Sequence, residues 1–323
     1  MGPQVTGSVL AVEDLTIDLA VQGQRFRPVD RISFSVARGE VLGIVGESGS
    51  GKSLTLRAVL GVLPETSRSH GCVTVFDETG APQRSARRVA MVFQEPMLAL
   101  NPTMRVGDVV AEAIRAHSGC SWRSARARAI EVMAEVGIPR AAERARAWPH
   151  ELSGGLRQRV MIAAALGTEP DVLLCDEPTT ALDVTIQAQI LALLKRVCAD
   201  RGMAMVFVSH DLAVIGQISQ RIAVMYAGRI VETGRTSDVL RHPQHPYTSQ
   251  LLACTPSAVS GRDPLQTIPG SPPDPRAFPP GCRFAPRCPF AVDRCRAASG
   301  ELMPSGRGAT ACIRTDVVEE LSA

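Results

Sequence analysis

Lysine and asparagine are almost missing from this chain: Lys52 and Lys195 are its only lysines and Asn101 its only asparagine among 323 residues. The other basic side chains are arginine, the mark of a strongly GC-rich coding bias, so a lysine retained inside a glycine-rich loop answers a specific chemical need. Aromatic residues make up 4% and the net charge is +3, which leaves few stacking platforms and no basic face; nucleic acid is not an expected partner. Long apolar runs are lacking too. Stretches such as Val160 to Leu166 and Val172 to Cys175 fall far short of the ~20 residues that a bilayer span needs. No basic-then-apolar export segment opens the sequence, so a cytoplasmic location is expected. Met1 to Thr6 fits a myristoylation pattern only formally, because Pro3 suits it poorly, and a frayed terminus is the reading taken. With 45% hydrophobic residues, the length accommodates one large α/β domain and a smaller appendage.

What is present starts with Glu40 to Val45, an apolar run that reads as a buried strand. Gly46-Glu47-Ser48-Gly49-Ser50-Gly51-Lys52-Ser53 follows, and Leu54 to Leu60 continues with helical spacing. Strand, glycine-rich loop and helix in that order make a phosphate-binding P-loop. The glycines let successive backbone N–H groups turn inward at phosphate oxygens, and the helix beginning near Gly51 adds its positive dipole end. Lys52 is placed to reach the β- and γ-phosphates of ATP, and the Ser53 hydroxyl to hold Mg²⁺. An ordinary glycine turn is the competing reading; it does not account for every position of the motif being filled in the right context.

Two further segments bear on phosphate chemistry. Val172 to Cys175 is a short apolar run that delivers Asp176 and Glu177 to a strand's carboxyl end, where open α/β sheets bind ligands. Asp176 is expected in the magnesium shell and Glu177 as the base that orients and deprotonates the attacking water; a solvated acidic turn is the plainer alternative. Ser153-Gly154-Gly155 precedes the apolar-periodic run Leu156 to Leu166, so Ser153 reads as an N-cap and the glycines leave amides exposed. A phosphate already held by one loop has little use for a second helix end in the same chain. The simplest resolution is that this segment serves another subunit's ATP.

The order of these three elements, with Leu152-Ser153-Gly154-Gly155-Leu156-Arg157-Gln158-Arg159 in the middle, resembles the ATP-binding cassette family. The resemblance implies further roles. Gln94, after Val89 to Phe93, matches the Q-loop glutamine that touches Mg²⁺ and senses the transport partner. His210, after the strand-like run Ala204 to Ser209, matches the switch histidine that contacts the γ-phosphate. Asp183, in Thr179-Thr180-Ala181-Leu182-Asp183, matches the D-loop between paired sites. It also implies two cassettes sandwiching two ATP molecules, each between one chain's P-loop and the other's signature. Two positions depart from the pattern. Leu156 replaces a common glutamine, and Leu15 to Val21 lacks the adenine-stacking aromatic, for which Phe26 is the substitute.

The implied fold is α/β: a P-loop NTPase with a RecA-like core, an antiparallel β subdomain and a helical arm at about 95–165, the cassette filling residues 1–240. After Leu240 the texture changes to a loop-rich, cysteine-containing appendage at 241–323, where Pro272-Pro273 and Pro279-Pro280 preclude long helices. Its His242-Pro243-Gln244-His245-Pro246-Tyr247-Thr248 and Gly281-Cys282-Arg283-Phe284-Ala285-Pro286-Arg287-Cys288-Pro289 resemble the ending of dipeptide, oligopeptide and nickel importer ATPases. So do Phe93-Gln94-Glu95-Pro96-Met97 and Leu100-Asn101-Pro102.

Nine cysteines in a cytosolic chain argue against structural disulfides. Cys72, Cys120, Cys175, Cys198 and Cys254 are scattered and read as packing residues. Cys282, Cys288, Cys295 and Cys312 are concentrated in a proline-studded segment with few apolar residues. Their spacing fits neither a zinc ribbon nor the usual ferredoxin run. Four thiolates there favour a metal centre: a [4Fe–4S] cluster first, Zn²⁺ second and free thiols third.

The expected function is an ATPase subunit that drives membrane import of peptides or a related small solute. The implied partners are a second, homologous cassette subunit, two permease subunits and an extracytoplasmic solute-binding protein, with the chain peripheral on the cytoplasmic face. A soluble ATPase of the same class in translation or DNA maintenance is the alternative from another class; two cassettes in one chain or a long coiled-coil insertion would mark it, and neither is present. A metal- or redox-regulated ATPase is the third.

Overall fold

The computed structural model describes residues 7–21, 23–83, 88–95, 99–180, 182–255, 267–314 and 317. Two long strands, β1 (Ser8–Val21) and β2 (Gln24–Ala37), precede β3 (Val41–Val45), whose residues are all buried. Helix α1 (Lys52–Leu60) follows, then β4 (Ser67–Phe76), β5 (Pro82–Gln83) and β6 (Val89–Val92). A helical stretch holds α2 (Val106–Ser118), α3 (Trp122–Glu135), the single turn α4 (Ala141–Arg144) and α5 (Gly154–Leu166). Alternation then resumes with β7 (Val172–Asp176), α6 (Val184–Arg201), β8 (Ala204–Ser209), α7 (Leu212–Ile218), β9 (Arg221–Tyr226) and β10 (Arg229–Arg235). Helices α8 (Thr236–Arg241) and α9 (Pro246–Ala253) and the short strands β11 (Met303–Ser305) and β12 (Gly308–Thr310) follow. Among the described residues no helix is long and apolar enough to cross a membrane.

The chain divides into two compact units. The first contains Ala37–Glu40 and Val75–Val206 together with the start of the chain. Here β7 stands between β6 and the Ala204–Val206 part of β8, and β6 runs parallel to β7 from Val89↔Val172 to Val92↔Cys175. Both strands are apolar up to Cys175, as strands covered on both faces require, and only Asp176 at the carboxyl end of β7 is charged. In the helical stretch, α2 buries Val106, Val110, Ala111 and Ile114 along one face and packs on α3 and α5. Each such valine or isoleucine is worth about 1.5–3 kcal/mol when fully buried, so this stripe fixes α3 and its solvent-facing arginines. Ser121 caps α3 by accepting from the Ser124 amide.

The second unit contains Leu10–Val36, Val41–Thr74 and Phe207–Ala323. One of its sheets places β1 between β2 and β4; the other has the order β11-β12-β10-β9-β3-β8, with β8 represented by Phe207–Ser209. Strand β3 is parallel to β9, from Leu42↔Arg221 to Val45↔Val224. The β9–β10 hairpin turns on Ala227 and Gly228, both at positive φ (46 and 82°), the backbone that a two-residue hairpin turn demands. Beyond residue 240 the pairing continues, because β12 lies antiparallel on β10 with Glu232↔Thr310 and Gly234↔Gly308 in register.

Candidate nucleotide site

In the second unit, β3 feeds directly into the glycine-rich loop. Gly46 has no room for a side chain, since a Cβ there would lie 2.0 Å from the Met225 carbonyl oxygen, and Gly51 takes φ 103° as the N-cap of α1. Lys52 is buried and donates from Nζ to the carbonyls of Gly46 at 2.8 Å and Glu47 at 3.0 Å. Ser50 Oγ is buried with no hydrogen-bond partner, whereas Ser48 and Gly49 are exposed at the loop's mouth. A buried hydroxyl left unpaired costs about 1–3 kcal/mol, and an anionic oxygen entering the loop would satisfy it. The loop therefore suits a phosphate group. Ser53 stands in the first turn of α1, half-buried. His210 follows β8 and is exposed, and Asp211 beside it caps α7 by accepting from the Ala213 amide.

In the first unit, β7 delivers Asp176 to its buried carboxyl end. Glu177 comes next at φ 46°, a left-handed backbone that costs a non-glycine residue of order 1–3 kcal/mol and turns the chain sharply at the strand end. Its Oε2 accepts from Thr180 Oγ1 at 3.0 Å and from Gln94 Nε2 at 3.4 Å. Gln94 and Glu177, far apart in sequence, are thus brought together. Asp183 caps α6 by accepting from the Ile186 amide at 2.9 Å, and Val184 beside it is 82% exposed. Ala181, Pro96 and Met97 lie outside the described residues.

Ser153 occupies the N-cap position of α5, as its sequence context predicts, but its side chain makes no capping bond. The two glycines behind it differ. Gly154 is exposed with only Leu182 Cδ2 near its missing Cβ, at 3.8 Å; a Cβ on Gly155 would meet Ile186 Cγ2 at 2.7 Å. Gly154 keeps the helix end open, and Gly155 is required by packing.

Sequence reasoning assigned 242–248 and 281–289 to the importer-type ending but connected no residue past 230 to the P-loop, which several of them surround. Glu232, buried, accepts from the amides of Gln244 at 2.7 Å and His245 at 3.0 Å, fixing the turn before α9. Burial holds the His245 imidazole down at about 3, so it is neutral, and its Nδ1 accepts from the Tyr247 amide at 3.1 Å. Tyr247 packs against Tyr226 and Phe284, with ring centroids 4.5 and 5.4 Å away, and its Oη accepts from the Glu47 amide at 2.9 Å. Arg287 donates to the Glu47 carboxylate, and Arg283 and Arg229 both reach Asp30 Oδ2 at 2.7 Å. Burial pushes the Asp30 carboxyl up, but Arg229, Arg283 and Arg31 outweigh it and hold it below its ordinary value. The available signal was scarcity: the chain has two tyrosines, and both stand here.

Cys282, Cys288, Cys295 and Cys312 line one small cavity of about 20 Å³ together with Phe284 and Phe290. Burial pushes Cys282 and Cys288 up and Cys312 up to about 11, so each is a neutral thiol near pH 7. The four thiols, concentrated in one segment of the sequence, do line one cavity. The expectation of a metal centre finds no counterpart, because among the described residues no group of three or more His, Cys, Asp or Glu side chains is arranged to hold a metal ion. All nine cysteines are free. Phe26 is half-buried and lines a separate groove of about 630 Å³ with Phe278, Arg25, Arg27 and His70.

A phosphate loop after a buried strand, acidic residues at a second strand end and a Ser-Gly-Gly helix start define an ATP-binding cassette ATPase. A family model described as ABC transporter matches residues 29–180, and one described as oligopeptide/dipeptide transporter, C-terminal region, matches residues 231–295. The dipeptide transport ATP-binding protein DppD of Escherichia coli K12 is 44% identical over 298 residues, covering 90% of this chain and 91% of that protein. The oligopeptide transport ATP-binding protein OppD of Mycobacterium tuberculosis is 44% identical over 326 residues, covering 98% of this chain but 53% of that longer protein. Among solved structures, the cassette MJ0796 bound to ADP and Pi is 26% identical with a TM-score of 0.60, covering 70% of this chain and 98% of that one. The chain belongs to the family of ATP-binding subunits of peptide-importing ABC transporters.

Proposed function

We propose that this chain hydrolyses ATP to drive peptide import, seated on the cytoplasmic face of the membrane against two permease subunits that receive solute from an extracytoplasmic binding protein. The observation that carries the reading is the loop at 46–53, with Lys52 turned inward and Ser50 Oγ unpartnered, in a chain whose relatives are peptide-transport ATP-binding proteins. The amides of Gly49, Ser50, Gly51, Lys52 and Ser53 and the Lys52 ammonium bind the phosphates, while Gly46, Glu47 and Ser48 shape the loop. Mg²⁺, when bound, would supply charge neutralisation at the phosphates, and Ser53, Asp176 and Gln94 are the residues that would hold it. Glu177 takes the proton of the attacking water, its carboxylate oriented by Thr180 and Gln94. His210 contacts the γ-phosphate, and Phe26 stacks on adenine.

Ser153, Gly154 and Asp183 act on the ATP of a second, homologous cassette subunit, with Gly155 packed on Ile186 behind them, a role favoured by the open Ser153-Gly154 helix end and by the 82% exposed Val184 beside Asp183. Residues 1–240 form the cassette and 241–323 the importer-type appendage. Within the latter, Cys282, Cys288, Cys295 and Cys312 would be the ligands of a [4Fe–4S] centre, with Zn²⁺ as the alternative; their gathering around one cavity favours it, and they would have to draw closer together than they stand to hold it. Reconstitution with the two permeases and the binding protein in liposomes tests the function. ATP inside should drive uptake of a labelled dipeptide, and uptake should vanish with Glu177→Gln; uptake independent of ATP would contradict it.

A further inference from the structure

Glu47 is the second residue of a loop that receives a polyanion, and an uncompensated carboxylate there opposes phosphate binding. Its three polar groups are each held. The carbonyl accepts from Lys52 Nζ at 3.0 Å, the amide donates to Tyr247 Oη at 2.9 Å, and the carboxylate takes Arg287 Nη1 at 2.9 Å on Oε2 and 3.2 Å on Oε1. Lys52 must leave the first of these to reach a phosphate. The other two come from residues 200 and 240 positions away and do not compete with a phosphate for Lys52.

Both partners are rigidly set. The Arg287 side chain is 7% exposed, donates from Nε to the Pro269 carbonyl at 2.9 Å, and touches Tyr226 Oη at 3.3 Å. Tyr247 is fully buried between Tyr226 and Phe284. A guanidinium held by the Pro269 carbonyl and the Tyr226 hydroxyl offsets the charge of the carboxylate. A phenol that takes the Glu47 amide fixes that peptide plane at the start of the loop, and the Glu47 carbonyl also accepts from the Ser50 amide at 3.2 Å.

We propose that the C-terminal appendage is part of the nucleotide-binding apparatus: Arg287 and Tyr247 are positioning residues that neutralise and orient Glu47 so that the P-loop is preset for ATP. This rests on the reading of residues 46–53 as the loop that holds the ATP phosphates. It goes further by assigning a task in ATP binding to residues of the importer-type ending.

The test is a double-mutant cycle read as ATP affinity by calorimetry on the full-length chain. Arg287→Ala should weaken ATP binding about tenfold, equivalent to about 1.4 kcal/mol. In a Glu47→Gln background, where no carboxylate needs a counter-charge, the same change should weaken it less than about threefold. Tyr247→Phe, which keeps the aromatic packing, should weaken ATP binding about threefold, the effect of one modest hydrogen bond. An equal loss from Arg287→Ala in both backgrounds would mean that it does not act through Glu47 and would overturn the proposal, as would unchanged affinity in Arg287→Ala and Tyr247→Phe. Lys52→Ala, run alongside, separates the two levels. If it too binds ATP normally, the phosphate-loop reading itself fails; if it alone loses ATP, only the positioning role fails.

Discussion

The chain carries two glycine-rich segments that end at helix starts, and their surroundings differ. The loop at 46–53 is enclosed: Gly46 lies against Met225, Lys52 is buried, and Glu47 is held by Tyr247 and Arg287. The segment at Ser153-Gly154 is open, with its serine making no capping bond and Gly154 almost without neighbours. Both have the chemistry to meet a phosphate, but only the first has its surroundings supplied by its own chain. An enclosed loop is preorganised for a ligand of its own, and an open helix end suits a ligand brought by another molecule.

The largest effect that would break this comparison lies at Glu177. Glu177→Gln keeps the shape but cannot accept a proton, so single-turnover hydrolysis should fall roughly 10²–10⁴-fold while ATP affinity holds. Hydrolysis near the wild-type rate would remove Glu177 from the base role. Next comes the enclosure itself. Gly46→Ala drives a Cβ into the Met225 carbonyl and should cost at least about 1–3 kcal/mol in unfolding free energy, whereas Gly154→Ala should stay within about 0.5 kcal/mol by chemical denaturation. Equal costs would erase the distinction between the two segments.

A smaller change concerns the appendage. Protein purified without oxygen should absorb broadly near ~400 nm and lose that band in Cys288→Ser while still binding ATP. Colourless protein with one zinc would select the alternative metal, and metal-free protein with an ordered tail would leave the four thiols as packing residues. Smallest of all is thiol reactivity outside the appendage. Burial raises Cys198 to about 12 and Cys175 higher than its ordinary value, so both stay protonated through pH 9 and should resist a thiol reagent there, while the exposed Cys72 reacts. Rapid labelling of Cys198 at pH 9 would contradict its burial.

Much of the cassette was legible because its signals are local. Buried strands at Val41–Val45, Val172–Asp176 and Ala204–Ser209 read as apolar runs, and the P-loop, Asp176-Glu177 and His210 follow them directly. What escaped is non-local or geometric. Nothing around Arg287 or Tyr247 announces a partner 240 or 200 residues away, and the left-handed backbone of Glu177 carries no compositional mark. Gly155 read as an exposed amide, but its neighbour Ile186 arrives from another helix and makes it a packing residue.

The most direct test of an enclosed loop and an outward-facing helix end is to measure ATP affinity and ATP turnover together in Ser153→Arg, in a cassette pair where only one chain carries the change. The account predicts unaltered ATP affinity in the isolated mutant chain, normal turnover at that chain's own P-loop, and lost turnover at its partner's. Turnover lost only at the mutant chain's own P-loop, or ATP affinity lost in the isolated chain, would show that Ser153 acts on its own chain's nucleotide and would contradict the account.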